Sequence, residues 1–376
     1  MRIGVVVQSP EGLGGASNYE NQFVALMQLA CAELGHETLI FRPSGFATKG
    51  ADSSQEFFRA SNVRFALAHA RSNFLIAEML KFIGLGFTHL ERQAARAKVD
   101  ILIFASPNHL SPGIRRIPIA TTAWDFGHLD LPQGAETSLG GLWNWREELY
   151  ATTAARSVSI FCDSERTKSR LVSRYGCEPS RIYKIGLLPT VPDGISPVKF
   201  DRPHLIYPAT FWPHKNHEIL LLAFRDLLEK NPASAFLVFT GGGESKAKIE
   251  AKAADFGIDK HVRFEGHVSR DRLFGLIAGS HGLLMPSLLG PSNLPQLEAS
   301  LIGIPVAMSD RHVMPDLLEG AKLISAQDSS EWLFTMEKML ASKLAPARAV
   351  EVPVANTLKL FLKFVDLETA PWRSHF

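Results

Sequence analysis

Short apolar runs alternate along this chain with longer stretches of helical period. The first series of runs is RIGVVVQ (2–8), ETLIFRP (37–43), DILIFAS (100–106), IPIATTAW (117–124) and SVSIFCDS (157–164). The second is HLIYPATF (204–211), SAFLVFTG (234–241), VRFEGHV (262–268), HGLLMPS (281–287) and IPVAMSD (304–310). Val, Ile, Leu and Phe occupy both faces of these runs, which predicts parallel strands covered by helices on both sides. Helical patterns fall between them at 18–34, 165–175, 217–230, 244–256, 270–278 and 294–302. Strand–helix alternation of this kind predicts right-handed crossovers and an α/β chain. The series breaks at GLLPTVPDGISPVKFDRP (186–203), a proline-rich stretch of little periodicity. It reads as a linker between two Rossmann-like, doubly wound parallel-sheet domains facing each other across a cleft. The expected division is 1–190 and 191–355. A terminal helix follows over 356–376, packing back on the first domain.

Length agrees, since 376 residues exceed one ordinary core and suit two. Apolar residues make up 46 % and charged residues 21 %, a globular balance. A net charge of +2 gives no field that argues for nucleic acid. Cys31, Cys162 and Cys177 are odd in number and widely spaced, so neither a disulfide framework nor a zinc site is expected. The opening MRIGVVVQSP lacks the apolar core of a signal peptide, and FLIAEMLKFIGLGF (74–87) is too short and too charged to span a bilayer. A cytoplasmic protein is expected, with a place at the inner face of the membrane as the variant reading.

Four loops carry candidate chemistry. SPEGLGGASNY (9–19) follows the first strand, and its glycines, Gly14 and Gly15 among them, let a ligand approach backbone at a helix start. The spacing is not that of a dinucleotide fingerprint, and a plain tight turn is the alternative. YPATFWPHKNH (207–217) opens the second series in the same way and sets Lys215 and Asn216 at a helix N-terminus. A cation there opposes the helix dipole, which makes sense when a diphosphate lies between. The alternative is an ordinary surface lysine. TGGGES (240–245) ends the next strand, and Gly242 either passes close to a ligand or only turns the chain. GPSNLPQLEA (290–299) leads small polar residues into a helix with one carboxylate, Glu298.

These loops and the segment VRFEGHVSRDRLFGLIAGSHGLLMPSLLGPSNLPQLEASLIGIPV (262–306) resemble the group 1 retaining glycosyltransferases, which have the GT-B fold. Phe264, Gly266, Val268, Pro286-Ser287, Leu294-Pro295 and Glu298 fit that family's pattern over about 204–310. The first domain carries less of it, in Gly14-Gly15, WDFGH (124–128) and SVSIFCDSERTKSRL (157–171). The resemblance implies a nucleoside diphosphate sugar as co-substrate and no cofactor or metal. The sequence holds no Asp-x-Asp motif. Glu298 would accept the ribose hydroxyls. Lys215 would neutralise the diphosphate, with Asn216 beside it. Backbone at Gly266, His267 and Val268 would meet the base, and Leu294 would approach the phosphates. Gly14 and Gly15 would close on the donor from the first, acceptor-side domain.

Three positions depart from the family pattern. Its earlier motif glutamate falls at Gly290, so Ser292 and Asn293 are expected to contact the sugar hydroxyls instead. An arginine five residues before the lysine is replaced by Thr210, leaving charge stabilisation to Lys215, backbone amides and His214 or His217. A histidine at the end of a first-domain strand is replaced by Trp124. Asp125 follows, and His128 stands as the candidate to contact sugar or acceptor, against a purely structural histidine.

The implied reaction is hexosyl transfer to a hydroxyl acceptor with retention, in polysaccharide or glycolipid assembly. The rivals are a sugar-nucleotide epimerase of the same fold and a catalytically silent sugar-nucleotide binder. The acceptor expected is a saccharide or a lipid-linked saccharide. Residues 57–98 carry seven Lys or Arg against two acids, with several phenylalanines. They read either as a peripheral membrane contact or as two core helices with solvated basic faces.

Overall fold

Two all-parallel sheets account for the two series of apolar runs. The protein is described from a computed structural model at residues 1–9, 14–43, 55–58, 89–134, 139–186, 189–232, 235–289, 294–312 and 317–373. The first sheet comprises β1 (Arg2–Val6), β2 (Glu37–Pro43), β3 (Gln55–Phe58), β4 (Ile101–Phe104), β5 (Ile119–Ala123), β6 (Ser159–Cys162) and β7 (Ile182–Lys184). Its order is β3-β2-β1-β4-β5-β6-β7, with every pairing parallel. The second comprises β8 (His204–Pro208), β9 (Phe236–Thr240), β10 (Val262–Gly266), β11 (Gly282–Met285), β12 (Val306–Ser309) and β14 (Lys322–Ile324). Its order is β10-β9-β8-β11-β12-β14, again all parallel. A short antiparallel pair, β13 (Leu318–Glu319) with β15 (Arg348–Ala349), stands apart.

The helices, in chain order, are α1 (Gly14–Glu33), α2 (His89–Arg96), α3 (Gly127–Asp130), α4 (Leu142–Arg156), α5 (Glu165–Tyr175), α6 (His217–Lys230), α7 (Lys246–Asp255), α8 (Arg270–Ala278), α9 (Leu294–Ile302), α10 (Ser329–Leu340) and α11 (Val354–Arg373). Local chemistry fixes several ends. Ser164 caps α5 by accepting the Thr167 N–H, and Gly176 closes that helix at φ 65°. Asp328 caps α10 through the N–H groups of Ser330 and Glu331.

Strands β4, β5, β6, β8, β9, β11 and β12 are buried on both faces, as the runs without polar alternation require. Each Val, Leu, Ile or Phe so buried contributes about 1.5–3 kcal/mol. The chain divides into two units: 1–124 with 144–188 and 352–376, and 125–143 with 189–351. Helix α11 packs on α1 in the first unit. Phe361 lies between Phe161 (4.7 Å) and Tyr183 (5.6 Å), and Lys359 is paired with Glu33.

Three features differ from the sequence reading. Residues 125–143 group with the second unit although they follow a strand of the first sheet. Strands β3, β7 and β14 extend the sheet edges, and α2, α4 and α10 are further helices. Of 57–98, residues 57–58 are extended in β3 rather than helical, and 89–96 form α2 with Leu90 and Ala94 in the core. Ala97 and Lys98 turn the chain after α2, and 59–88 lie outside the described residues. Among the described residues, no helix is long and apolar enough to cross a membrane.

Candidate functional site

In the second sheet the chain proceeds from β8 to one side through β9 and β10, and to the other through β11, β12 and β14. The topological switch point therefore lies between β8 and β11, where an open parallel sheet receives ligands at its carboxyl edge. The loops leaving these two strands are bonded together. The Leu288 N–H donates to the His214 carbonyl at 2.7 Å. Asn216 Nδ2 donates to the carbonyls of Pro286 (3.2 Å) and Ala326 (2.9 Å). The Tyr207 hydroxyl donates to the Lys215 carbonyl (2.9 Å) and lies 2.9 Å from Ser287 Oγ.

Lys215 ends a single 3-10 turn that begins at Pro213, and its N–H donates to the Trp212 carbonyl. Asn216 follows at φ 55°, a left-handed conformation that asparagine tolerates, and α6 starts beyond it. The Lys215 side chain is half-buried. Burial pulls its pKa down to about 8, and the nearby Asp125 charge opposes that fall. Asp125 belongs to the 125–143 segment, and its Oδ1 accepts the Gly127 N–H at 2.8 Å. A Cβ on Gly127 would lie 2.9 Å from Leu289, so glycine permits this close seat.

Aromatic packing sets the floor beneath Lys215. His217 stacks on Phe211 (4.4 Å, 18°) and contacts Tyr207 and Phe239. Burial, then the Lys215 charge, push the His217 pKa down to about 3, so its ring is neutral. A neutral His217 adds no positive charge, which leaves the expected charge stabilisation to Lys215, backbone amides and His214. On the other flank, the Gly241 N–H donates to the Gly266 carbonyl (2.6 Å), and the Phe211 N–H to the Gly242 carbonyl (2.8 Å). A Cβ on Gly242 would stand 2.7 Å from His267 Nε2, so this glycine admits the imidazole.

Glu298 is the fifth residue of α9, one turn beyond its start, and is 3 % exposed. Arg270 Nη2 approaches its Oε1 at 3.5 Å. Burial raises the Glu298 pKa, and Arg270 counters that rise.

The sequence-predicted residues are thus distributed as follows. Thr210, Lys215 and Asn216 follow β8, and Gly242 follows β9. Gly266 ends β10, His267 and Val268 follow it, and Leu294 and Glu298 lie on the helix after β11. All nine sit at the carboxyl edge of four neighbouring strands. The Asn216 amide is committed to two backbone carbonyls rather than open to a ligand. Ser292 and Asn293, with Gly290, lie outside the described residues. Gly14 and Gly15 open α1 in the first unit. Asp125 joins the Lys215 environment. His128 is fully buried, its ring beside Trp143 (5.8 Å) and Phe126 (6.4 Å), and presents no surface to solvent.

Sequence reasoning missed Arg270 and Tyr207. Arg270 stands at the first position of a helix, where a cation is disfavoured, and that was the available signal.

Residues 195–351 match the family model of the Glycosyl transferases group 1. D-inositol 3-phosphate glycosyltransferase of Corynebacterium jeikeium is 27 % identical over 135 residues, 34 % of this chain and 32 % of that protein, so the match spans about a third of each. A GDP-mannose-dependent alpha-(1-6)-phosphatidylinositol monomannoside mannosyltransferase of Mycolicibacterium smegmatis is 23 % identical over 383 residues, covering 92 % of this chain and 90 % of that one. Sucrose-phosphate synthase from Thermosynechococcus elongatus superposes with a TM-score of 0.68 at 16 % identity, over 100 % of this chain and 97 % of the other. The fold is GT-B.

Proposed function

We propose, from the premise that this chain is a group 1 glycosyltransferase of GT-B fold, that it moves a hexosyl unit from a nucleoside diphosphate sugar to a hydroxyl acceptor with retention. The observation that carries this reading is the seat of Lys215 and Glu298. Lys215 follows β8 and Glu298 lies on the helix after β11, the two strands that flank the switch point, and the loops leaving those strands are hydrogen-bonded to one another at 214–216 and 286–288.

A diphosphate-ribose suits that pair. The carboxylate accepts two vicinal hydroxyls, and the ammonium faces the phosphates. The acceptor oxygen attacks the anomeric carbon on the face from which the diphosphate departs. The departing phosphate oxygen takes the acceptor's proton, so charge and atoms balance without a separate base. The protein then positions both partners and stabilises the leaving charge. Lys215 supplies that stabilisation, and Asp125 favours its charged form. Gly242, Gly266 and the backbone beside them line the base side, and the α9 N-terminus with Leu294 meets the phosphates. Ser292, Asn293, Gly14 and Gly15 remain assigned to the sugar and the closing loop on the resemblance alone.

A lipid-linked saccharide is the acceptor class favoured by the mannosyltransferase relative, whose name gives a phosphatidylinositol glycolipid as its acceptor. For the same reason GDP-mannose is the first donor to test. A thermal-shift screen against UDP-, GDP-, ADP- and dTDP-sugars tests the donor reading, because a bound donor raises the melting temperature by mass action. One nucleotide class should stand out, and product should form only when an acceptor is added. A flat response across all four classes overturns the reading, and product without acceptor favours an epimerase.

A further inference from the structure

The connection that leaves the first unit does not hang free. Its residues 190–198 run along α8 within the second unit. The Val198 N–H donates to the Gly275 carbonyl at 2.8 Å. A Cβ on Gly275 would sit 2.9 Å from the Ser196 carbonyl, and one on Gly279 would collide with the Val198 carbonyl. The glycines thus open a bed on α8 for this strand of chain. At the start of the same helix, Arg270 Nη2 donates to the Thr190 carbonyl at 3.0 Å. The guanidinium also covers Phe274, 4.9 Å from the ring centre.

Arg270 is therefore fixed from two sides before it reaches Glu298. Its position at the first residue of α8 works against the helix dipole, so local helix energetics do not explain it. Its side chain is 41 % exposed, whereas that of Glu298 is 4 % exposed. The arginine forms the wet end of the pair and the carboxylate its dry end.

We infer that Arg270 is a positioning residue for donor recognition: held by Thr190 and Phe274, it fixes one oxygen of Glu298 and leaves the other for the hydroxyl pair of a donor. This rests on the reading of Glu298 as the ribose acceptor given above. Among the described residues, the charged groups on the elements packed against α9 leave Arg270 as the partner. On α8, Arg272 is paired with Glu265 (3.0 Å) and Asp271 is exposed. On β15, Arg348 is paired with Glu319. Strands β11 and β12 contribute no titratable side chain. Without Arg270, burial alone acts on Glu298, and its carboxyl takes up a proton at higher pH than in the parent protein.

The test is calorimetric titration of the full chain with UDP and with GDP between pH 5.5 and 8. Arg270→Ala should weaken binding about tenfold at pH 5.5, and the deficit should shrink toward pH 8 as the bare carboxyl ionises. Arg270→Lys should restore most of the affinity. In a Glu298→Gln background Arg270→Ala should add no pH-dependent loss. A deficit of equal size at every pH, or one that persists in the Glu298→Gln background, overturns the inference and makes Arg270 merely structural. If Arg270→Ala does not fold, Arg270→Gln carries the same pH test, since it keeps a donor for Thr190 without the charge. The two readings fail separately. A Glu298→Gln variant that binds UDP and GDP as the parent does overturns the donor site itself. Weakened binding in Glu298→Gln beside unchanged binding in Arg270→Ala overturns only the role of the arginine.

Discussion

Both sheets reverse strand order at their first strand, and each places a buried glutamate on a helix beyond its switch point. Their surroundings differ. Glu20 on α1, 1 % exposed, accepts the N–H groups of Gln8 (3.2 Å) and Ser9 (2.9 Å) and the hydroxyl of Ser106. Gln8 and Ser9 follow β1, and Ser106 follows β4, so this carboxylate ties the ends of both switch strands. Among the described residues, Glu298 on α9 ties no such pair. Its partner among the described residues is one half-exposed guanidinium at 3.5 Å. Topology supplies a gap at both places, and hydrogen-bond saturation decides its use. A carboxylate filled by its own backbone is an architectural clamp, and one filled from a single side retains capacity for a ligand.

The widest departure between the two regions should come from Lys215, which has no counterpart among the described partners of Glu20. Lys215→Ala should reduce turnover by about 10²–10³, the range found when one group that stabilises developing charge is removed. Its effect on donor KM should be smaller, because the charge grows in the transition state. Steady-state kinetics decide it, and a fall of less than tenfold removes Lys215 from the mechanism. Next comes Glu20→Ala, which strands three donors. At about 1–3 kcal/mol for each buried group left unpaired, less what water recovers, a loss near 3 kcal/mol in denaturant unfolding is expected. UDP and GDP affinity should hardly move. Glu298→Gln should invert that pattern, costing about 1.5–3 kcal/mol of donor binding and little stability. If Glu20→Ala weakens nucleotide binding as much as Glu298→Gln does, the contrast between clamp and site is lost.

The carboxyl-edge loops were readable from the chain because each has a local cause. Pro213 breaks the run after β8, Leu294 starts α9 after a string of small polar residues, and glycines mark the turn after β9. Helices α5, α6, α8 and α9 have the bounds their periodicity predicts, since caps and apolar faces lie within a few residues of one another. Other features have no local cause. Arg270 looks like any solvated arginine until α9, 28 residues on in sequence, brings Glu298 beside it. Nothing in WDFGH tells which sheet its loop will join, because docking of 125–143 depends on Leu289 and the Lys215 turn. The edge strands β7 and β14 are three residues long and partly polar, so their pairing partner makes them strands, not their sequence. His128 illustrates the opposite hazard. Its place four residues after Trp124, where the family pattern has a histidine, suggests a contact with sugar or acceptor, and the fold sets its buried ring beside Trp143 and Phe126.

The smallest expected effect is the pH dependence of donor binding, and it separates the two members of the site. The Lys215 pKa of about 8 describes the empty protein. A diphosphate favours the ammonium, so a protein that has lost this proton must regain it on binding. Affinity for UDP or GDP should therefore be level below pH 7 as far as Lys215 is concerned. It should fall as pH rises through 8, approaching tenfold per unit until the pKa of the complex is reached. Glu298 acts at the other end with the opposite sign. Its pKa is raised, the charged form accepts the hydroxyls, and affinity should decline as acid protonates it. Lys215→Arg removes the alkaline limb alone, because a guanidinium does not titrate in this range. Glu298→Gln removes the acid limb alone. Calorimetry in buffers of different ionisation enthalpy should register proton uptake above pH 8 in the parent and none in Lys215→Arg. An alkaline limb that survives in Lys215→Arg assigns the titration to another group and separates Lys215 from the phosphates.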